Sequence, residues 1–242
     1  MTANYTMKAT DLREELKRKR NPEKGGILQR FFKTGPGEYG EGDIFWGLQV
    51  PETRAITAKY HKMPLSEIEL LLIDPVHEVR LAAGLLLVEM FKKGCITEKQ
   101  ACYEFYIANA IRFNNWDLVD LTCHHIVGGW LFDKDRKPLY DLAVSSNLWE
   151  QRISIISTYS LLKKNDFEDC MNISKLLLNH KHDLIHKAVG WMLREMGKRN
   201  FLVETEFLLE NDRYKTMPRT MLRYAIEKYP ENQRQAFLKG KM

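Results

Sequence analysis

The chain has 242 residues, 44% of them hydrophobic, enough to bury a substantial core in one domain or in a short repeat array. Its formal net charge of +5 and pI of about 8.9 favour an anionic partner without identifying one. No apolar run reaches bilayer length, and Cys95, Cys102, Cys123 and Cys170 form no CxxC pair, which argues against a membrane span, a zinc ribbon and a disulfide framework and for a soluble, intracellular protein with buried thiols.

In chain order, a helix is predicted over residues 11–20, ending in Lys17-Arg18-Lys19-Arg20. Asn21-Pro22 breaks it, and a second helix is predicted over 23–33. Gly35, Gly37, Gly40, Gly42 and Gly47, with Pro36, then make 34–47 a long flexible loop. No Lys-Ser/Thr pair follows and no parallel strands flank it, so it does not read as a nucleotide-binding loop. From about residue 51 the chain reads as helix after helix, with apolar residues three and four apart and no sustained strand alternation. Asp74-Pro75 reads as a helix start, because proline tolerates the first helical position. The apolar residues that follow, Val79 to Phe91, suit the inner helix of a helical repeat.

Similar segments recur around Arg80, Arg152 and Lys187, each with a basic residue just before an apolar run. With Asp120 placed in the same frame, the separations are 40, 32 and 35 residues. That is the spacing of HEAT and armadillo helix pairs. A last segment from Pro218 closes the array. The predicted architecture is therefore all-α: a curved superhelical array of HEAT-like antiparallel helix pairs with a concave basic face. It forms a single domain over 1–242, with N-terminal helices and the Gly-rich loop over 1–47 and repeats over 48–242. Arg13, Lys17, Arg18, Lys19, Arg20, Lys24, Arg30 and Lys33 crowd one end, and Arg213, Lys215, Arg219 and Arg223 the other. They suit phosphate contacts and equally suit an ordinary solvated helix surface.

The stretch from Trp116 to Asp120 carries the most distinctive chemistry. Residues four apart stack on one helix face, so an aromatic ring and a carboxylate project side by side. The ring attracts a cationic group over its face, and the carboxylate stabilises positive charge developing in a transition state. The same two residues would also serve as a core anchor and a solvated acid. In the repeat frame, Lys187, Trp191 and Arg194 share a helix face with Arg152 one repeat earlier, which surrounds Asp120 with bases and a second tryptophan. That arrangement fits a tracked polyanion with a cationic reacting group. His124 and His125 diverge by about 100° on a helix and no HExxH spacing exists, so no metal or other cofactor is assigned.

Ordered along the chain are Asn21-Pro22-Glu23-Lys24, Gly47-Leu48-Gln49 with Pro51-Glu52 and Arg54, Trp116-Asp117 with Val119-Asp120, Trp149 with Gln151-Arg152, and Lys187-Ala188 with Gly190-Trp191 and Leu193-Arg194-Glu195. In this set the sequence resembles the AlkD family of DNA alkylation repair proteins, HEAT-like-repeat DNA glycosylases that remove cationic alkylpurines such as 3-methyladenine and 7-methylguanine. The resemblance implies that Asp120 is the catalytic carboxylate, that Trp116 and Trp191 are aromatic walls beside the lesion, that Arg152 is a DNA-contacting arginine beside the catalytic centre and that Arg194 is a further basic position near the backbone; Lys187, on the same face, is read as a phosphate contact. Where some members carry a lesion-side tyrosine, this chain has Phe31, whose ring can stack but cannot hydrogen-bond.

The reading that follows is a monofunctional alkylpurine glycosylase of base excision repair. It would act as a monomer on double-stranded DNA containing alkylated purines, in the cytoplasm on the chromosome, without membrane or metal. A non-catalytic HEAT-like DNA-binding protein and a protein-binding scaffold remain as alternatives. The scaffold leaves the Trp116, Asp120 and Trp191 set unexplained.

Overall fold

A computed structural model describes residues 7–242; the first six residues of the polar start lie outside it. Among the described residues the chain is all-helical, with no strand beyond an isolated parallel bridge between Ile44 and Val76. It divides into two compact units, one ending at Ile126 and the other beginning at Val127.

The first unit contains α1 (Ala9–Lys17), α2 (Pro22–Phe31), α3 (Val50–Thr57), α4 (Leu65–Leu72), α5 (His77–Lys93), α6 (Ile96–Ala108) and α7 (Trp116–Asp120). Asn21 ends the α1 connection and starts α2, its side chain accepting the Lys24 N–H at 3.0 Å ahead of Pro22. The axis of the unit is α5, which packs against α3, α4 and α6 and is buried on every side from Val79 to Val88. It starts later than Asp74-Pro75 suggests. The Pro75 carbonyl accepts the Ile44 N–H at 3.1 Å and the Ile44 carbonyl accepts the His77 N–H at 2.8 Å. That bridge keeps the chain extended until Val76, so the first helical residue is His77.

The Gly-rich segment is fastened at its far end. The buried Glu78 carboxylate accepts the backbone N–H groups of Trp46, Gly47 and Leu48 at 3.0, 2.7 and 3.1 Å. Gly47 has φ +88, and a Cβ there would lie 2.2 Å from the Asn21 carbonyl oxygen, so a side chain is excluded by both conformation and space.

The helix α8 (Cys123–Trp130) spans the boundary, and the second unit contains α9 (Lys137–Ala143), α10 (Leu148–Ser157), α11 (Tyr159–Leu162), α12 (Glu168–Leu177), α13 (Asp183–Gly197), α14 (Phe201–Leu209), α15 (Arg213–Thr216), α16 (Arg219–Ala225) and α17 (Glu231–Leu238). Here α10 packs on α9, α12 and α13, and α13 packs on α10, α12, α14 and α16. Asn147 caps α10, accepting the N–H groups of Trp149 and Glu150. Along α13, Leu184, Ile185, Ala188, Val189, Met192, Leu193 and Met196 form one buried stripe at three- and four-residue spacing. A Cβ at Gly190 would lie 2.4 Å from the Met221 carbonyl oxygen, so glycine lets α13 and α16 approach closely. Among the described residues no helix is long and apolar enough to cross a membrane.

Candidate active site and its support

The five residues of α7 form little more than one turn, which is not stable in isolation. Its position comes from contacts on both chain sides of Trp116. Asn115 caps it, the side-chain oxygen accepting the Trp116 N–H at 2.8 Å, while Asn115 Nδ2 donates to Asp43 Oδ2 at 3.1 Å. Asp117 accepts the Leu118 N–H at 2.9 Å through Oδ1 and is bound by His77 Nε2 at 2.8 Å through Oδ2. Leu118 and Val119 are buried, whereas Trp116 and Asp120, four residues apart, are half-buried.

His77 links these contacts into a network. It is 1% exposed, with Nδ1 3.2 Å from Asp43 Oδ2 and Nε2 against Asp117. Arg80 completes the set, Nη2 donating to Asp43 Oδ1 at 2.5 Å and Nη1 to the Asp74 carbonyl at 2.8 Å. Two carboxylates and two cations thus balance in a buried quartet. Burial opposes charge on His77, but the charge and hydrogen bond of Asp117, with the Asp43 hydrogen bond, raise its pKa to about 9. Burial likewise pushes Asp43 up, and the hydrogen bond from His77 and the charge of Arg80 overcome it to hold this carboxyl below the usual range.

A column of rings runs from this quartet to Trp116. Phe45 stacks on His77 at 4.5 Å between centroids, Phe32 on Phe45 at 4.9 Å, and Trp116 on Phe32 at 5.1 Å with 14° between planes. Phe31 meets Trp116 edge-on at 6.0 Å and is 62% exposed. The exposed Phe31 ring therefore meets Trp116 at the start of α7, and Asp120 lies four residues on, at the end of the same turn.

In the second unit, α13 carries Lys187, Trp191 and Arg194 on one half-buried face, as their spacing predicts. Lys187 pairs with Asp183 at 2.7 Å, and Trp191 lies 6.3 Å from the Tyr159 ring. Arg194 is ion-paired with Glu227. Arg152 is 4% exposed and donates from Nη1 to the Leu184 carbonyl, which joins α10 to the first turn of α13.

The family sequence model of the DNA alkylation repair enzymes matches residues 12–229. The chain belongs to this family. A solved structure described as a predicted DNA alkylation repair enzyme from Enterococcus faecalis superposes with a TM-score of 0.69 at 20% identity, covering 88% of this chain and 97% of that one. At that identity the likeness is one of fold. No match is found among curated proteins. Membership assigns this DNA alkylation repair protein an enzymatic role in the repair of alkylated DNA.

In this repair protein the basic clusters are not uniform. Arg18, Lys19, Arg20, Lys24, Arg30 and Lys33 are exposed, but Arg13 is tied to Asp74 at 2.5 Å and lies over the Trp46 ring. At the other end Arg213 is buried, binding the Phe207 carbonyl and Glu210, while Arg219 and Arg223 are exposed. His124 and His125, expected to diverge, hold their rings edge-to-face at 3.9 Å. Among the described residues no group of three or more His, Cys, Asp or Glu side chains is placed to hold a metal ion.

Sequence reasoning missed Asp43, His77, Asp117 and Phe32. One signal could have found the first-turn residues of α5. A helix apolar on all sides must be buried all round, so His77, Glu78 and Arg80 at its start had to be buried with partners.

Proposed function

We propose that the protein is a monofunctional DNA glycosylase that hydrolyses the N-glycosidic bond of cationic N3- and N7-alkylated purines in double-stranded DNA, within base excision repair. The observation that supports this reading best is the half-buried pair of Trp116 and Asp120 on a single anchored turn, with the exposed Phe31 ring against Trp116. An alkylated purine is already cationic and a good leaving group. As its bond to the sugar breaks, C1′ moves towards an oxocarbenium ion. The Asp120 carboxylate stabilises that charge and orients the attacking water, and no acid is required to protonate the departing base. One carboxylate therefore suffices where glycoside hydrolysis commonly uses two.

The rings of Trp116 and Phe31 provide apolar, electron-rich faces for a positively charged lesion. In the second unit, Trp191, Lys187 and Arg194 on one face of α13 would offer the duplex a ring and two bases, whereas the buried Arg152 serves to hold α10 to α13; in the first unit the exposed bases at 18–33 would contact phosphate. The test is direct: incubate the protein with duplex DNA containing 7-methylguanine and measure released base. Release of 7-methylguanine supports the reading. Duplex binding without release of either 7-methylguanine or 3-methyladenine would favour a non-catalytic DNA-binding role.

A further inference from the structure

The buried quartet beneath α7 has charge and hydrogen bonding in a place where packing alone would fill space. Both ring nitrogens of His77 face carboxylate oxygens, and an ionised carboxylate only accepts hydrogen bonds. Each nitrogen must therefore carry a proton, so the ring is an imidazolium. The titratable and charged groups facing it are Asp43 from the loop, Asp117 from α7 and Arg80 from α5 itself, with the rings of Phe32 and Phe45 packed beside it. Asn115 ties to the same Asp43 oxygen. The residues before and after Trp116 in sequence are thus both bonded to one charge-balanced cluster, and the ring column from His77 through Phe45 and Phe32 ends on Trp116 itself.

We infer that His77 is the positioning residue of this site: as an imidazolium bridging Asp43 and Asp117, it fixes α7 and so sets the orientation of Trp116 and Asp120 toward the lesion. This rests on the glycosylase reading for its effect on rate, but not for its effect on Trp116. His77, 1% exposed, would touch neither substrate nor the reacting atoms. Its contribution passes through Asp117 and through the ring column. Charge balance makes a specific demand on variants. His77→Gln leaves two carboxylates against one cation, and Asp117→Asn leaves one against two. The double variant restores balance with Asp43 facing Arg80 and two neutral amides facing each other.

The experiment compares the parent, His77→Gln, Asp117→Asn and the double variant, each checked for cooperative thermal unfolding. Single-turnover release of 7-methylguanine at saturating protein should fall tenfold or more in each single variant and recover in part in the double variant. Duplex affinity should stay within about twofold, because the phosphate contacts lie elsewhere. Independent of activity, protein labelled with 5-fluorotryptophan should show a Trp116 fluorine resonance, assigned by its loss in Trp116→Phe, that shifts or broadens in the single variants and returns in the double variant. In the parent, that resonance should also move with pH at the same midpoint as the His77 ring nitrogens, which tests the link without any mutation. Folded single variants with parental rates and an unmoved Trp116 resonance would overturn the inference, as would a Trp116 resonance that does not follow His77. A parent that releases no base would overturn the glycosylase reading instead, and the fluorine measurements would still decide this one.

Discussion

Phe32 lies flat against Trp116, 5.1 Å away and 14° from parallel, with its other neighbours Phe45 and His77 deeper in the unit. The exposed Phe31 beside it is the residue that the family resemblance picks out, yet the buried Phe32 supplies the platform. Stacked pairs of this kind contribute about 0.5–1.5 kcal/mol beyond burial and, more to the point, hold a ring in one orientation. Phe32→Leu should keep the fold, because it stays apolar, while removing the flat surface. Excision of 7-methylguanine should drop about tenfold with little change in duplex binding, measured by single-turnover kinetics and titration. Parental rates in this variant would show that Trp116 is oriented by other contacts.

Much of the fold is legible in the sequence because its signals are local. Asn21-Pro22 starts α2 by capping chemistry contained within four residues, Asn21 to Lys24, and the buried stripe of α13 follows from its own spacing. The pairing of Trp116 with Asp120 on one turn is equally local. The quartet is not, since Asp43, His77 and Asp117 lie 34 to 40 residues from their partners and no periodicity connects them. The same reason explains the late start of α5. Asp74-Pro75 has the local chemistry of a helix start, but a bridge to Ile44 takes the backbone groups first. Arg152 and Arg194 look alike in sequence and differ in the fold, one bonded to the Leu184 carbonyl and the other to Glu227.

That ion pair gives a prediction with a defined sign. If Arg194 contacts phosphate, Glu227 competes with the DNA for its guanidinium. Glu227→Gln should then raise duplex affinity several-fold at low salt and steepen the decline of affinity with salt, because one more cation is available to displace counterions. Arg194→Gln should do the reverse. Equal salt slopes in parent and both variants would remove Arg194 from the binding surface.

Lesion preference should follow charge rather than base identity, since Trp116 and Phe31 attract cations and Asp120 is not assigned to protonate a neutral leaving group. 7-Methylguanine and 3-methyladenine should be released, whereas neutral hypoxanthine and ethenoadenine should not, in duplexes matched for sequence. Trp116→Ala should slow release of the cationic bases more than it weakens binding to undamaged DNA. Comparable rates on charged and neutral lesions would point to a base-reading pocket instead.

Glu204 on α14 is 1% exposed, and burial drives its pKa to about 9 although a hydrogen bond to Tyr229 and the charge of Arg194 act in the opposite direction. The folded protein therefore keeps a proton that the unfolded chain releases above its ordinary value of 4.5. Stability from this group is greatest at low pH and is lost as pH rises towards 9, by up to about 1.4 kcal/mol per pH unit. Glu204→Gln should flatten that decline, so that parent and variant diverge between pH 5.5 and 8 in chemical denaturation. Parallel pH profiles would mean that Glu204 is ionised in the folded state.

Asp120→Asn tests the proposed catalytic carboxylate at the end of α7 most directly. The substitution keeps size, turns one acceptor oxygen into an NH2 donor and removes the charge proposed to face the developing oxocarbenium ion. With unfolding and duplex affinity unchanged, the single-turnover rate of 7-methylguanine release should fall on the order of 100-fold or more. A folded, DNA-binding Asp120→Asn protein that releases 7-methylguanine at the parental rate would contradict the assignment of Asp120 as the catalytic group.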